Sequence, residues 1–391
     1  MTAIRRSLAY SIADSYLALP LQLVGTMIIS RLLTPAETGV FAVAAVFAAF
    51  ASTFRDFGVA EYLIQENELD AEKIRAALTV NIAISWAMAL LLFFFAPLAA
   101  DFYRSQGVAE VMRVQAFNFI LIPFGAVTMA YFRRELDFRP MFIAGLLANL
   151  TTFVVAILCA FWGFGYMSLA WSSLAGVVVT VGTSIWFRPA DFPKWPGVRG
   201  IVRVINFGKF ATGIYFFGQL GKGAPEMIIG RAQDMVGVAL FSRGSGLVEL
   251  FNRTVLRAVM PVCMPYFAQH NRQTGSMISG YLMSVSYLTA IGWPFLAFMG
   301  IVAYAAIRIV YGSQWMASVP LAQILCAAGA IELIHYLAKE ALIAGGDVKR
   351  SNLLQIVIQG GRIAGLFAVI PLGLIGACWG LFAAAVFGTA C

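Results

Sequence analysis

Charge is what this chain of 391 residues has least of. Asp, Glu, Lys and Arg make up 12% of it, about half the roughly 25% of an ordinary soluble domain. Histidine is nearly absent, with His270 and His335 alone. The five cysteines (Cys159, Cys263, Cys326, Cys378, Cys391) are odd in number, scattered and mostly set in apolar runs, with no C-x-x-C and no Cys/His cluster. That pattern supports neither a disulfide framework nor a metal site, so they read as small hydrophobic fillers, and no cofactor or metal is expected. Long polar connections are also missing, which leaves no place for a soluble catalytic domain. What is present is 61% hydrophobic, with mean hydropathy +0.83. A water-soluble fold cannot hide that much apolar surface, because the buried fraction saturates as domains grow. A soluble enzyme, a secreted disulfide scaffold and a disordered tail are excluded, and the chain is read as a polytopic membrane protein.

Helices and closed barrels are the two architectures that satisfy every backbone polar group within lipid. Barrel strands alternate apolar and polar residues, whereas Ala87–Ala100 (AMALLLFFFAPLAA) and Phe153–Phe164 (FVVAILCAFWGF) are unbroken apolar runs. The expectation is therefore all-α, with about twelve transmembrane helices at ~20 apolar residues each. They are predicted over 8–30, 40–62, 77–100, 111–132, 141–162, 167–187, 208–230, 236–268, 277–310, 320–344, 352–370 and 372–391. Asp14 interrupts the first run and no small-residue cleavage site follows, so that run reads as a retained helix and not a signal peptide.

Basic residues set the orientation. With the N-terminus cytoplasmic, the inside segments hold Arg5, Arg6, Lys73, Arg75, Arg133, Arg134, Arg139, Arg188, Lys194, Arg199, Arg203, Lys209, Arg272, Lys349 and Arg350, while the outside connections hold Arg31, Arg104, Arg113 and Arg231. The net charge of +8 then reflects basic residues facing an anionic leaflet, and no nucleic-acid partner is required. The longest connection, RPADFPKWPGVRGIVRVINF, carries three prolines and four basic residues. It divides the chain into an N-terminal helix bundle (1–187), a cytoplasmic linker (188–207) and a C-terminal bundle (208–391).

The halves resemble each other at an offset of 200: Met27–Arg31 (MIISR) matches Met227–Arg231 (MIIGR), and Gly39-Val40-Phe41 falls opposite Ala239-Leu240-Phe241. Further on, Gly163–Tyr166 (GFGY) falls opposite Gly373–Gly376 (GLIG). Six spans per half make this a parallel repeat, an arrangement that in transporters places the substrate path at the repeat interface with a central cavity.

A charge at mid-bilayer costs about 2.5–3.5 kcal/mol on insertion scales, so it faces a partner or a wet cavity. Several spans carry such charges on one helical face: Thr212, Tyr215, Gln219, Lys222 and Glu226; Glu249, Arg253 and Arg257; Glu332, His335, Tyr336 and Lys339; and Ser7, Tyr10, Ser11, Asp14 and Gln22. Arg55-Asp56 and Arg362, beside Gly360-Gly361, add to them. The cations Lys222, Arg253, Arg257, Lys339 and Arg362 are the expected substrate-binding set, because guanidinium and ammonium groups bind phosphate oxygens. Asp14, Asp56, Glu226 and Glu332 are the candidate ion-coupling groups. A plainer reading stands beside each. Lys222/Glu226 and Glu249/Arg253 are spaced as intrahelical ion pairs, His335 suits a satisfied core histidine, and Arg55 can pair with Asp56. Arg308 reads as structural, at the outer interface.

The segment IISRLLTPAETGVFAVAAVFAAFASTFRDFGVAEYLIQ (28–65), with YFRRELDFRP (131–140), MIIGRAQDMVGVALFSRG (227–244) and YGSQWMASVPL (311–321), resembles the bacterial polysaccharide biosynthesis flippases of the multidrug/oligosaccharidyl-lipid/polysaccharide exporter superfamily. Ala239 departs from the glycine that the family favours there. The chain stops at Cys391 within an apolar run, so the last helix is read as incomplete or as followed by helices absent here. The resemblance implies twelve to fourteen helices in two bundles, and a multi-pass protein of the bacterial inner membrane. The implied activity is movement of a polyprenyl-pyrophosphate-linked oligosaccharide between leaflets without bond-changing chemistry. The implied partners are that lipid-linked substrate and membrane lipid; H+ or Na+ as coupling ion and transient contact with polysaccharide polymerase machinery are open alternatives that no motif supports. Two alternatives are a multidrug and toxin extrusion-type antiporter, which favours an acidic cavity, and a membrane-embedded glycan polymerase or acyltransferase, which usually needs a large outer loop or catalytic histidines and acids.

Overall fold

The computed structural model describes residues 20–391 apart from Phe57, Asn67, Lys194 and 275–277. The described residues form helices and turns without a strand. The chain divides into two compact units, Met1–Gln219 and Leu220–Cys391.

In the first unit, helix α1 (20–32) ends at a turn where the Thr34 hydroxyl and backbone N–H both donate to Glu37 Oε2 at 2.8 Å, and the Glu37 N–H donates back to Thr34 Oγ1. This reciprocal box satisfies donors that a helix start leaves open, and α2 (Pro35–Asp56) begins there. Gly58, at φ 65°, breaks the chain before the short α3 (Val59–Gln65). Asp70 accepts from the Lys73 N–H and starts α4 (Ala71–Tyr103), which ends on Arg104 in the left-handed region. Next come α5 (Gln106–Leu121) and α6 (Pro123–Arg134), which meet at 52° where Pro123 enters. The hairpin α7 (Phe138–Phe161) and α8 (Met167–Trp186) closes the series. Its turn holds Gly163 and Gly165 at positive φ, and a Cβ on Gly165 would collide with the Glu37 carboxylate.

The 188–200 segment folds onto this unit. Gly197 exchanges hydrogen bonds with the Thr79 hydroxyl at 2.7 and 2.9 Å, and Phe192 is buried with Ile74, Ala77, Leu78, Val127 and Ala130. Helix α9 (Ile201–Ala232) begins seven residues before the predicted 208 and contributes Val204 to the same core.

The second unit opens on a cap like that of the first. Asp234 accepts from the Gly237 N–H and starts α10 (Met235–Phe251), as Thr34 starts α2. A π-helical stretch, Asn252–Leu256, joins α10 to α11 (Arg257–Thr274). Then follow α12 (Ile278–Ile301), α13 (Ala303–Val310), a 3-10 turn over Ser313–Ser318, α14 (Val319–His335) and α15 (Ala338–Ala344). The hairpin of α16 (Val348–Val369) and α17 (Gly373–Ala390) ends it. Two details echo the first unit at an offset of 210. Leu136 and Gly346 both take positive φ, and each precedes a capping aspartate, Asp137 or Asp347. The hairpin turns do the same, with Gly163 and Gly373 both at positive φ.

Among the described residues, seven helical stretches are long and apolar enough to cross a membrane, or eight if the bent α5–α6 pair is one span. Their outer faces are apolar: Phe94, Phe161 and Trp186 are 71%, 68% and 84% exposed. Such a run of exposed aromatic and aliphatic surface is intolerable in water and is satisfied by acyl chains, so this is a multi-pass membrane protein. Cys263, Cys326 and Cys378 are buried and free, Cys159 is half-buried and Cys391 is exposed.

Candidate functional site

The charged spans converge within the second unit. Its apolar core gathers Phe251, Leu256, Phe267, Leu296, Leu333 and Leu337 from α10, the π-helical stretch, α11, α12 and α14–α15. Beside it, α9, α14 and α16 bring polar side chains together. Arg362 Nη1 of α16 lies 3.5 Å from Glu332 Oε1 of α14. Glu226 of α9 is half-buried within electrostatic reach of Arg362. His335, one turn beyond Glu332, is also within reach of Glu332 and Arg362, and its ring packs where a Cβ on Gly388 of α17 would lie 2.9 Å away. Gln359, one turn before Arg362, presses its amide against Gly221, where any side chain on α9 would collide with it.

This cluster carries buried polar atoms without a hydrogen-bond partner in the protein: Glu226 Oε2, His335 Nδ1, Gln359 Oε1 and Arg362 Nε. Four such atoms on four adjoining side chains form a connected polar locus, and each is costly unless something satisfies it. Its charges do not balance. Two carboxylates share one guanidinium, so the ionised cluster with neutral histidine carries a net charge of −1. A proton or a small monovalent cation would neutralise it, and a charge imbalance inside a membrane-embedded unit makes this cluster the candidate site.

The other predicted residues distribute as follows. Arg253, in the π-helical stretch, donates from Nε to Glu249 Oε1 at 3.0 Å, and Asn252 donates to the other oxygen of Glu249. The Glu249/Arg253 spacing is thus an ion pair. Arg257 follows the stretch and is exposed, and Lys222 is exposed on α9. Lys339 is half-buried on α15, and its carbonyl accepts from the Ser351 hydroxyl. Lys222 and Glu226 share a helix, but the guanidinium that Glu226 feels belongs to Arg362. Asp14 and the side chains of Asp56, Thr212 and Tyr215 lie outside the described residues. Arg55 stands 5.7 Å above the Phe119 ring, and Arg308 donates to the Tyr304 hydroxyl.

Sequence reasoning missed three residues. Gln359 had a usable signal, since it lies three before Arg362 and so on the same helical face. Glu340, next to Lys339, has a buried and unpartnered Oε2. Arg243 had no local signal: its guanidinium sits 5.0 Å from the Tyr311 ring and 4.9 Å from the Trp315 ring, partners far along the chain. A cation between two aromatic faces is held by their quadrupoles.

Known proteins share both sequence and fold with this chain. It is 25% identical to the succinoglycan biosynthesis transport protein ExoT of Rhizobium meliloti (strain 1021) over 82% of its length and 65% of that protein's. It is 21% identical to the teichuronic acid biosynthesis protein TuaB of Bacillus subtilis (strain 168) over 76% of its length and 62% of that protein's. The chain therefore spans less than two thirds of the length of these two relatives. The lipopolysaccharide biosynthesis protein WzxC of Escherichia coli (strain K12) is 22% identical over 92% of this chain and 75% of its own length. Among solved structures, the inward closed conformation of the lipid II flippase MurJ superposes with TM-score 0.79 at 12% identity, covering 98% of this chain and 86% of that one. An inward-facing multidrug resistance MATE family transporter of the MOP superfamily superposes with TM-score 0.65 at 17% identity, over 98% and 93%. At these identities the two structures establish a shared fold, the polytopic all-α transporter fold. Residues 28–320 match the family described as polysaccharide biosynthesis protein, which is three quarters of the chain, and the chain belongs to that family.

Proposed function

We propose that this protein moves a polyprenyl-pyrophosphate-linked oligosaccharide between the leaflets of the bacterial inner membrane, as a step in assembling a surface polysaccharide. The observation that carries the reading is the charged locus of Glu226, Glu332 and Arg362 in a unit whose outer face is apolar. A static bundle would gain nothing from desolvating these groups, since replacing buried ion pairs by packed hydrophobic residues is often neutral or stabilising. Family membership and the names of ExoT and WzxC point the same way.

Twelve spans arranged as two six-helix bundles, divided at the 188–207 segment, would then work by alternating access, with the N-terminus cytoplasmic. No bond changes. The task is to keep a diphosphate and its sugars out of hydrocarbon during the crossing. Lys222, Arg257 and Lys339 supply positive charge for the headgroup, while Arg253 and Arg362 serve it only when released from Glu249 and Glu332. The surplus negative charge of the Glu226 locus is the place for a coupling H+ or Na+, with Asp14 and Asp56 as the corresponding candidates in the first unit. The multidrug reading is disfavoured because Lys222, Arg253, Arg257, Lys339 and Arg362 give this unit more cations than the acidic cavity an organic-cation exporter favours.

The test is reconstitution into liposomes with a fluorescent lipid-linked oligosaccharide, scoring leaflet transfer. Arg257→Glu or Lys339→Glu is expected to abolish transfer while leaving membrane insertion and thermal stability intact. Transfer at the wild-type rate by both variants overturns the assignment of those cations, and no transfer by the wild type overturns the function.

A further inference from the structure

The end of the 188–200 segment and the first turns of α9 leave one apolar side uncovered by the described residues. Trp195, Val198 and Val202 are 77%, 78% and 71% exposed, and Ile205 is 43% exposed. Val202 and Ile205 stand three apart and share a helical face, whereas Val204, on the other side of the same turns, is buried in the core of the first unit. Apolar side chains exposed singly need no explanation, but four of this size within one short stretch form a patch.

Local structure fixes both the stiffness and the level of this patch. Besides its exchange with Thr79, the Gly197 N–H lies 3.3 Å from the Arg75 carbonyl. A Cβ on Gly197 would come within 2.9 Å of Arg75 Cβ, so the segment is pressed against α4 at a point that only glycine allows. Gly200, at φ 83°, then turns the chain into α9. Arg199 pairs with Glu72 at 3.1 Å and Arg203 with Glu66 at 3.4 Å, which ties the polar edge of the stretch to α4 and to the end of α3. The level follows from α4 itself. Its first turns carry Glu72, Lys73 and Arg75, and no further charge occurs until Asp101. Thr79 therefore stands one turn inside the apolar run, and Gly197 is held beside it. Helix α8 makes the same change at this end, apolar through the exposed Ile185 and Trp186 and followed by Arg188.

We propose that residues 195–205 form a ledge lying in the plane of the bilayer surface, with Trp195, Val198, Val202 and Ile205 seated in the boundary between headgroups and acyl chains. Neither neighbouring medium suits the stretch. Water would leave the patch unsatisfied, and hydrocarbon would strand the non-helical peptide groups of 195–200 and the charged pairs of Arg199 and Arg203. The boundary accommodates both, because a tryptophan ring lies there with its apolar body inward and arginine stems follow the apolar surface while their charged ends stay in water. An amphipathic element with a buried apolar face and cationic flanks is held at that depth. The patch is also continuous in level with the lipid-facing end of α8, so the belt of exposed apolar surface extends onto it. The ledge holds whether or not a substrate is moved, and on whichever side of the membrane this end of the unit lies. Its consequence is mechanical: it fixes the depth of the first unit and the point where α9 enters the bilayer.

The experiment uses the full chain in phosphatidylcholine nanodiscs and reads the fluorescence of Trp195 as the difference between the wild type and Trp195→Phe. Quenchers are phosphatidylcholine brominated close to the headgroup, the same lipid brominated near the chain ends, and iodide in the water. The shallow bromines are expected to remove at least half of the Trp195 signal, and the deep bromines and iodide each less than half as much. Val198→Asp combined with Val202→Asp, which makes the patch polar, should cut quenching by the shallow bromines at least twofold and raise quenching by iodide. If that variant fails to fold, the wild-type measurement decides alone. Strong quenching by iodide with none by either lipid overturns the proposal by placing the patch in water. Quenching strongest with deep bromines overturns it by placing the patch in hydrocarbon. Shielding from all three quenchers overturns it by showing that protein covers the patch, and unchanged quenching in the folded aspartate variant overturns the part given to the two valines.

Discussion

Removing the guanidinium from the Glu226 locus is the most informative single perturbation. Arg362 and Glu332 are 3.5 Å apart. At that distance two unit charges attract by about 1 kcal/mol at the dielectric of water and about 5 kcal/mol at an effective value near 20. The side chains are 27% and 40% exposed, so solvent screens part of the attraction, and roughly 2 kcal/mol is the expected loss in Arg362→Gln. The cost has a second part, because two carboxylates, Glu332 and Glu226, are then left in one partly buried place without a counter-charge. At about 2–4 °C per kcal/mol for a unit of this size, the melting temperature in a fixed detergent should fall by roughly 4–8 °C. Adding Glu332→Gln should restore at least half of that fall, since it removes the orphaned charge. The assay is thermal unfolding of the purified single and double variants, read as a double-mutant cycle. An additive cycle, with the double variant as unstable as the sum of its parts, would refute the idea that these side chains form one electrostatic unit.

Three further outcomes follow from the geometry. Gly165→Ala forces an L-residue to φ 53° and drives its Cβ into the Glu37 carboxylate, so it should cost about 1–2 kcal/mol for the backbone alone and lower the melting temperature, whereas Gly182→Ala, with open space around it, should not. Trp315→Ala empties a fully buried site and should cost about 3–5 kcal/mol; Arg243→Met, which keeps the bulk between Tyr311 and Trp315, should cost under about 2 kcal/mol, and unfolding curves of the two variants check the ranking. Tyr166 donates to Glu110 Oε2 at 2.9 Å, and burial, that hydrogen bond and the nearby carboxylates push its phenol above the ordinary value of 10. The folded protein therefore holds this proton more tightly than the unfolded chain, a contribution complete below pH 10 and lost as pH rises beyond it. Stability should fall more steeply above pH 10 in the wild type than in Tyr166→Phe, and equal slopes would remove Tyr166 from the account.

Much of the architecture is legible without coordinates because it rests on local terms. Low charge and long apolar runs specify membrane helices, and Thr34, Asp70, Asp137, Asp234 and Asp347 mark where helices start, since each accepts from a backbone N–H or exchanges hydrogen bonds within three residues. The MIISR and MIIGR segments lie in the last turns of α1 and α9. Span boundaries suffered where a local feature interrupts a composition run. The 236–268 run is divided by the π-helical Asn252–Leu256 stretch, whose wider turn shifts the phase of the face that α-helical spacing assigns to Glu249, Arg253 and Arg257.

Partners across helices were not legible. Composition shows that Arg253 and Arg362 are charged and embedded, yet nothing near Arg362 in the chain reveals that Glu332 holds it, thirty residues away. Likewise Arg133 and Arg134 are adjacent and chemically identical, and only the packing of α3 against α6 gives one to the Leu63 and Glu66 carbonyls and the other to a cavity. Helical periodicity and solvation act over a few residues and are written in the order of the sequence. Which charge meets which is settled by long-range packing of helices against one another, so the membrane fold belonged to the sequence and the pairing of its embedded charges to the tertiary structure.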